Sequence, residues 1–313
     1  MTWPNTLHYA YAPGCDNQNN QQIKQAACVA GANLVAIGGG LTVAVWNPST
    51  NVQTSWQMSS CCSSNWQYWQ GAALYHGGKV YVSYAIYAYW GSPPNRRGIG
   101  VFDPSTGVDS VAYDETSLGP SWFVPLARNG DVVFTANSRF DTSSLTGAAW
   151  ANPLGSDTIF AAGGDVFSVS GSTVRRHNAT TGAILSTTDL GYTVSHRQPC
   201  QRGNVFWFIT GRPLQVGYDY VADAPVYRAL SPGGFSADGA TGPHQSWTLH
   251  SDGYLYALGY AAPGYLTCVD PDTGRWKQDS LARPNASSDV QQFFLLSHAG
   301  KLWSASGLPT SWP

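Results

Sequence analysis

Two aromatic stretches carry the side chains best suited to binding. Trp and Tyr present a flat apolar ring with a polar tip, which suits stacking on sugars or anchoring a protein interface. The first stretch, 84–98, contains Tyr84, Tyr87, Tyr89, Trp90, Arg96 and Arg97. The second stretch, 209–225, contains Arg212, Tyr218 and Tyr220. We predict that these side chains form a binding surface, with the arginines facing carboxylates. The alternative is that the rings cap the ends of a sheet and the arginines are solvated.

Three shorter segments add further candidates for the same surface. They contain Trp66, Tyr68, Trp69, His196, Arg197, His244 and Trp247. A histidine beside an arginine could act as the base of a polysaccharide lyase. A glycoside hydrolase usually needs two carboxyl groups, and Glu115 is the only glutamate, so an Asp pair would have to serve. We therefore predict no catalytic residue and keep the lyase or hydrolase as an alternative function.

No cofactor or metal site is predicted. No pair of His, Cys or acidic residues recurs at a ligand spacing of two or four residues. The adjacent cysteines Cys61 and Cys62 are either a free pair in a loop or a local disulfide.

A repeated turn points to the elements that position these residues. Seven times a small turn residue, usually Gly, is followed by a polar residue and an apolar pair, and the apolar positions lie 34 to 52 residues apart. This period is typical of a β-propeller blade. The copies begin at Ala32, Gly78, Gly130, Gly164, Gly203, Gly253 and Gly300.

A second repeat places an Asx residue at the start of a tight polar turn that ends on Gly or Asn. Such turns use the Asx side chain to accept backbone N–H groups and the last residue to take a left-handed corner. The clearest copies begin at Asn47, Asp103, Asn178 and Asp270. Weaker copies lie at 140–147, with two extra residues, at 230–234 and at 11–14.

Together the two repeats predict one all-β domain over 1–313, a seven-bladed β-propeller with four-stranded antiparallel blades. The C-terminus would supply the first two strands of the last blade and the N-terminus its outer strands, so that both termini close the ring. Both kinds of turn would lie on one face, and the long loops 84–98 and 209–225 on the other. The predicted blades span about 24–56, 67–113, 120–154, 156–190, 196–237, 245–279, and 289–313 with 5–22.

The Asx-Pro-x-Thr-Gly turns and the blade plan resemble the quinoprotein-like and YVTN-type propeller superfamily. Quinoprotein alcohol dehydrogenases of that superfamily hold a disulfide between adjacent cysteines over their quinone, which is the role that the resemblance would give Cys61 and Cys62. Their docking motif ends in a Trp that this chain does not reproduce, since Trp276 comes too early and Trp56 one place late. The resemblance thus implies the fold rather than quinone chemistry.

The low charge content of the chain excludes some classes of function. Only 11% of residues are charged and the formal net charge is -2, so we expect neither nucleic-acid binding nor membrane insertion. The start of the chain has no basic and apolar leader, so we expect synthesis in the cytoplasm without a signal peptide.

This uncharged, aromatic texture resembles that of exposed bacteriophage proteins. We predict a non-enzymatic binding or assembly module of a bacteriophage particle (tail, fibre or capsid appendage), associated with the virion. Its partners would be other protein subunits and a host-surface polysaccharide or protein. A free lectin is a second alternative, although a lectin should repeat its site from blade to blade.

Overall fold

Short β-strands joined by tight turns make up the described chain. The computed structural model describes residues 7–11, 26–37, 42–57, 67–87, 94–115, 126–150, 154, 158–194, 199–208, 214–231, 246–259, 264–281 and 293–306. These residues form six four-stranded sheets and one three-stranded sheet.

Each four-stranded sheet is an antiparallel meander of consecutive strands, and we number these sheets as blades 1 to 6. Blades 1 to 3 comprise β2 (Ala26–Ala30), β3 (Asn33–Ile37), β4 (Thr42–Asn47) and β5 (Val52–Gln57); β6 (Gln67–His76), β7 (Lys79–Tyr87), β8 (Pro94–Phe102) and β9 (Asp109–Glu115); and β10 (Ala127–Asn129), β11 (Val132–Phe134), β12 (Ser138–Asp141) and β13 (Thr146–Ala149). Blades 4 to 6 comprise β14 (Thr158–Ala162), β15 (Asp165–Ser170), β16 (Thr173–Asn178) and β17 (Ile184–Asp189); β18 (Cys200–Arg202), β19 (Val205–Phe208), β20 (Leu214–Asp219) and β21 (Ala224–Ala229); and β22 (Ser246–Leu249), β23 (Leu255–Gly259), β24 (Gly264–Val269) and β25 (Trp276–Leu281).

The remaining three strands form a sheet that we call the closing sheet: β1 (Leu7–Tyr11), β26 (Phe293–His298) and β27 (Lys301–Ser306). Strand β27 pairs antiparallel with β26 on one side and parallel with β1 on the other, with Leu7 opposite Leu302. The prediction of seven four-stranded antiparallel blades is therefore wrong. The described residues form six such blades, and the closing sheet has three strands with one parallel pair.

At five of the joints between neighbouring sheets, the first strands of the two sheets pack side by side. Strand β2 packs against β6 and β26, β10 against β14, and β22 against β18 and β26. Apolar clusters lie between neighbouring sheets from blade 1 to the closing sheet. Phe102, Phe167 and Tyr256, for example, are each 0% exposed in three different clusters. This burial fixes the sheets relative to one another, because apolar area removed from water is the main stabilising term.

Turns of two kinds lie at the same end of each blade, because the strands alternate in direction. We call the turn between the first and second strands the inner turn, the turn between the third and fourth strands the outer turn, and this end of the molecule the turn face. All seven predicted inner turns are present. At Gly77-Gly78 and Gly163-Gly164 both glycines have positive φ, as a two-residue hairpin with right-handed strand twist requires.

Candidate interaction surface

The outer turns are built by one Asx side chain each. They span 47–52, 103–108, 141–146, 178–183, 219–224 and 270–275. In blade 4, Asn178 Oδ1 accepts the N–H groups of Thr180 at 2.9 Å and Thr181 at 3.0 Å. Asp219 in blade 5 accepts those of Val221 and Ala222 at 2.9 and 3.0 Å. The side chain thereby satisfies backbone donors that would otherwise face water, so the turn holds its shape.

Two outer turns differ from their prediction. The residue four places after the Asx has positive φ in every blade, but in blade 3 it is Leu145 (φ 56) and in blade 5 Asp223 (φ 53). The turn of blade 3 therefore has the standard length, without the two extra residues predicted. The turn of blade 5 lies at 219–224, not at 230–234. The predicted seventh copy, 11–14, lies outside the described residues except for Tyr11, the last residue of β1.

Exposed aliphatic side chains follow the outer turns around the molecule. Of the seven large apolar side chains that are exposed among the described residues, five lie in or directly after an outer turn, one in each of blades 1 to 5. We call this set the apolar rim: Val52 (59% exposed), Val108 (65%), Leu145 (66%), Ile184 (57%) and Val221 (64%). A single exposed aliphatic residue needs no explanation, but an exposed aliphatic residue recurs in or directly after the outer turn of five successive blades.

A polar network fixes the outer turn of blade 5 against blade 4. Asp223 Oδ1 accepts hydrogen bonds from Tyr218 Oη at 2.5 Å and Thr188 Oγ1 at 2.9 Å. Burial raises the pKa of Asp223, but these and other hydroxyl donors, with the positive charge of Arg176, outweigh it and leave the pKa below its usual value. Arg176 Nε in turn donates to Asp165 at 2.6 Å. The network holds the Val221 turn in place beside blade 4.

Tyr218 and Tyr220 are predicted to bind a partner. In the structure, Tyr218 belongs to the apolar cluster between blades 4 and 5, and Tyr220 packs against that cluster. Tyr218 is a residue of β20 and is 0% exposed, with its ring against Phe160 and Phe167. Tyr220 is half-buried and packs against Phe167 and Phe206. The predicted loop 209–225 is thus wrong, because most of it is strand β20 and the outer turn of blade 5.

The predicted loop 84–98 is also mostly strand. Tyr84 and Tyr87 belong to β7, and Arg96 and Arg97 to β8, with Ala85 opposite Arg97. Tyr68 and Trp69 lie on β6, with Trp69 opposite Ala85. Strands β6, β7 and β8 of blade 2 are nine or ten residues long. Because these strands extend into the predicted loop, fewer residues remain for a loop than the sequence suggested.

The register does bring these predicted site residues together. Tyr68, Trp69, Tyr84, Tyr87, Arg96 and Arg97 occupy neighbouring positions on three adjacent strands, at the end of blade 2 opposite the turn face. We call this end of blade 2 the aromatic end. Trp247 lies on β22, opposite Ala257. Trp66, Tyr89, Trp90, His196, Arg197, Arg212 and His244, with Cys61 and Cys62, lie outside the described residues.

The apolar rim is a feature that the sequence did not predict. Each Val, Leu or Ile of the rim stands within seven residues of an Asx turn start, so the repeat of Asx turns could have revealed it once all six turns were located. The turn of blade 5 was predicted at the wrong place and the turn of blade 3 with the wrong length. Exposure also cannot be read from an aliphatic residue that would equally suit a buried strand.

Within the described residues no group of three or more His, Cys, Asp or Glu side chains is placed to bind a metal ion. The described residues also contain no helix with the length and hydropathy of a membrane span. Cys28, Cys200 and Cys268 are free thiols, and burial raises the pKa of Cys28 and of Cys200 to about 12. A thiol that stays protonated is a poor nucleophile and metal ligand.

No family model matches the chain, and no curated protein is similar to it in sequence. In structure, the chain is similar to a chain of the crystal structure of the mitotic checkpoint complex, with a TM-score of 0.59 and 11% sequence identity. The similarity covers 94% of this chain and 89% of that one. At this identity it shows the fold alone. The chain is a β-propeller.

Proposed function

We propose that the chain is a non-enzymatic binding module that joins protein subunits in a larger assembly. The observation that carries this proposal is the apolar rim. Five exposed aliphatic side chains lie in or directly after the outer turns of five blades and give the turn face apolar contact points on a rigid scaffold. Rigid presentation lowers the entropic cost of binding, so modest apolar contacts are sufficient for association.

The assembly that we propose is a bacteriophage particle, with the chain as a tail, fibre or capsid-appendage component. The support is compositional: 11% charged residues and 13 Trp give an uncharged, aromatic chain. In this proposal the turn face contacts a neighbouring subunit, and the aromatic end of blade 2 faces a host-surface polysaccharide or protein.

Site-specific photo-crosslinking tests the contact. A photoreactive phenylalanine analogue would replace Val108 or Val221 on the rim, and Thr187, an exposed residue of β17, would serve as the matched control. When the tagged chain is expressed with the other proteins of its source, we expect both rim positions to crosslink to the same protein and the Thr187 position to give none. Equal crosslinking from all three positions would contradict the proposal.

The enzymatic alternative has its own readout. Purified chain would be incubated with bacterial surface polysaccharides, and reducing ends and unsaturated sugars would be measured. Turnover above a heat-denatured control would overturn the binding module in favour of a hydrolase or lyase.

A further inference from the structure

The outer edge of blade 1 has no partner strand among the described residues. Strand β5 pairs only with β4 among the described strands. The side chains of Val52, Thr54 and Ser55 are exposed to solvent. An edge strand of this length presents a row of backbone N–H and C=O groups that can extend the sheet with another strand.

Other outer strands carry features that discourage such pairing. Strand β9 contains Asp109, Asp114 and Glu115, and β25 contains Lys277 and Asp279. Charges on an edge oppose addition of another strand, and so does proline, which lacks an N–H group.

The remaining edges are protected in other ways. Strand β21 contains Pro225 and Arg228. Strand β17 ends on Asp189 and has a register shift against β16. Strand β13 has only four residues. Strand β5, with the sequence Val-Gln-Thr-Ser-Trp-Gln, has six residues and none of these features.

The absence of charge extends through the whole blade. No Asp, Glu, Lys or Arg occurs from residue 25 to residue 78, and blade 1 lies entirely inside this stretch. The edge is therefore not merely uncharged at one position. It belongs to a sheet that repels neither an anionic nor a cationic neighbour.

We propose that β5 is a self-association edge that pairs antiparallel with β5 of a second copy of this chain. A twofold axis at Thr54, perpendicular to the sheet, would place Thr54 opposite Thr54 of the other copy and Val52 opposite Trp56, which joins the two blades into one eight-stranded sheet. A second copy is the occupant that an uncharged strand favours, because any twofold pairing sets an edge against its own charges. The same pairing of β9 would set acid against acid.

This inference stands apart from the apolar rim. The rim lies at the outer turns and is proposed to contact a different subunit, whereas β5 is a lateral edge of one blade. Val52, the first residue of β5, belongs to both surfaces, but Thr54 and Ser55, which the test changes, belong to the edge alone. Loss of one contact need not affect the other.

Sedimentation equilibrium over a concentration series tests the proposal. We expect the wild-type chain to dimerise, and the double variant Thr54→Lys with Ser55→Lys to be monomeric over the same range. Each twofold dimer of the variant would contain one directly opposed like-charge pair, at position 54, and one diagonal like-charge pair, at position 55, so we expect the dissociation constant to rise about tenfold or more. Circular dichroism and thermal unfolding would establish that the variant is folded.

The charge-reversed variant Thr54→Glu with Ser55→Glu makes the test specific. Alone it should also be monomeric, and mixed with the lysine variant it should form a heterodimer, because lysine then faces glutamate. The matched control is Leu185→Lys with Thr187→Lys, two exposed positions of β17, which should dimerise like wild type. The proposal is overturned if the wild type stays monomeric, if the lysine variant at β5 still dimerises, or if the two oppositely charged variants fail to associate.

Discussion

His177 shows how a single polar side chain is accommodated between buried strands. The imidazole is 2% exposed, with Nδ1 3.0 Å from the Gly182 carbonyl and Nε2 2.8 Å from Ser168 Oγ. A carbonyl can only accept, so Nδ1 carries the proton and the neutral ring accepts from Ser168 at Nε2. Burial lowers the pKa of His177; the Gly182 bond opposes this, and the charge of Arg175 adds to it.

We therefore expect stability to fall as the pH decreases from about 6.5 to 5. The unfolded chain, whose histidine pKa is about 6.5, binds a proton that the folded chain does not, so the free energy of unfolding rises with pH in this range. Replacing His177 by Gln should cost about 1–3 kcal/mol at pH 7 through unpaired partners and flatten the pH dependence. Urea unfolding at several pH values measures both.

Ser168→Ala is the matched variant for this measurement. It removes the hydroxyl partner but keeps the titrating ring, so it should lower stability and retain the pH dependence. An unchanged slope in the His177 variant would show that another group is responsible.

At the same scale, the residue at the left-handed corner explains why the outer turns of blades 3 and 5 differ from their prediction. The left-handed corner of an outer turn is usually Gly or Asn, and Leu145 and Asp223 occupy it instead. Asp223 is tolerated because its carboxylate receives the Tyr218 and Thr188 hydroxyl groups. Tyr218 belongs to the same blade, but Thr188 belongs to blade 4, and a contact from a neighbouring blade cannot be read from the local sequence. The sequence therefore predicted a loop at Tyr218 and Tyr220.

The outer turns make an element whose stability depends on ionisation in some blades only. The Ser143 hydroxyl and the N–H groups of Ser144 and Ser143 lower the pKa of Asp141 to about 2. Hydrogen bonds from Ser105 likewise lower the pKa of Asp103. Asn47 accepts equivalent N–H groups without titrating.

We expect Asp141→Asn to fold as the wild type does at pH 7 and to be less sensitive to acid. A carboxyl whose pKa is lowered on folding stabilises the protein above its unfolded value of about 3.9 and loses this contribution as the pH falls towards 2. Thermal unfolding between pH 4 and pH 2 should therefore be flatter in the variant. Asn47→Ala, as a control, should lower stability without changing its pH dependence.

Contacts between a side chain of one blade and the outer turn of the next blade form a second kind of element. Gly107, at φ 75, lies under the Trp56 indole, and a methyl group there would overlap the ring. Gly130 has a similar φ of 58, but nothing lies within 4 Å of the position of its Cβ. We expect Gly130→Ala to cost about 1–2 kcal/mol from backbone strain alone.

Gly107→Ala should cost about 1–3 kcal/mol more than Gly130→Ala, because it also displaces a packed ring. Chemical denaturation of the two variants measures the difference. Equal losses would mean that Trp56 moves aside without cost.

The number of complete four-stranded blades was predicted less well than the positions of the inner turns. The inner turns follow from Gly and the adjoining apolar residues, which are local signals, and all seven are present. The number of complete blades depends on outer turns, and the described residues have six. The pairing of β1 with β27 is parallel, whereas the repeat predicts antiparallel strands where the two chain ends meet, and no local pattern specifies this direction.

At the scale of the whole molecule, one joint differs from the rest. The closing sheet meets blade 1 through Trp303 and Trp46, whose rings lie edge to face at 4.8 Å. His298 Nε2 also lies 3.2 Å from the Ala32 carbonyl. This is the joint at which the last sheet of the chain meets the first blade.

We expect Trp303→Ala to weaken this joint specifically. Trp303 is 6% exposed, and truncating a buried Trp costs about 3–5 kcal/mol. Trp150, which is 5% exposed and stacks on Phe134 within blade 3, is the matched control. Both variants should lose similar global stability, but hydrogen exchange should increase first in β2 and β27 only for Trp303→Ala. Identical exchange patterns would contradict a separate role for the joint.

The parallel pair at the chain ends also constrains when the protein can mature. Leu7 leaves the ribosome early, yet its partner Leu302 follows about 300 residues later. At roughly 5–20 residues per second, β1 waits on the order of 15 to 60 s before β27 exists. Ring closure therefore waits until β27 has been synthesised, and β1 spends this interval without its partner.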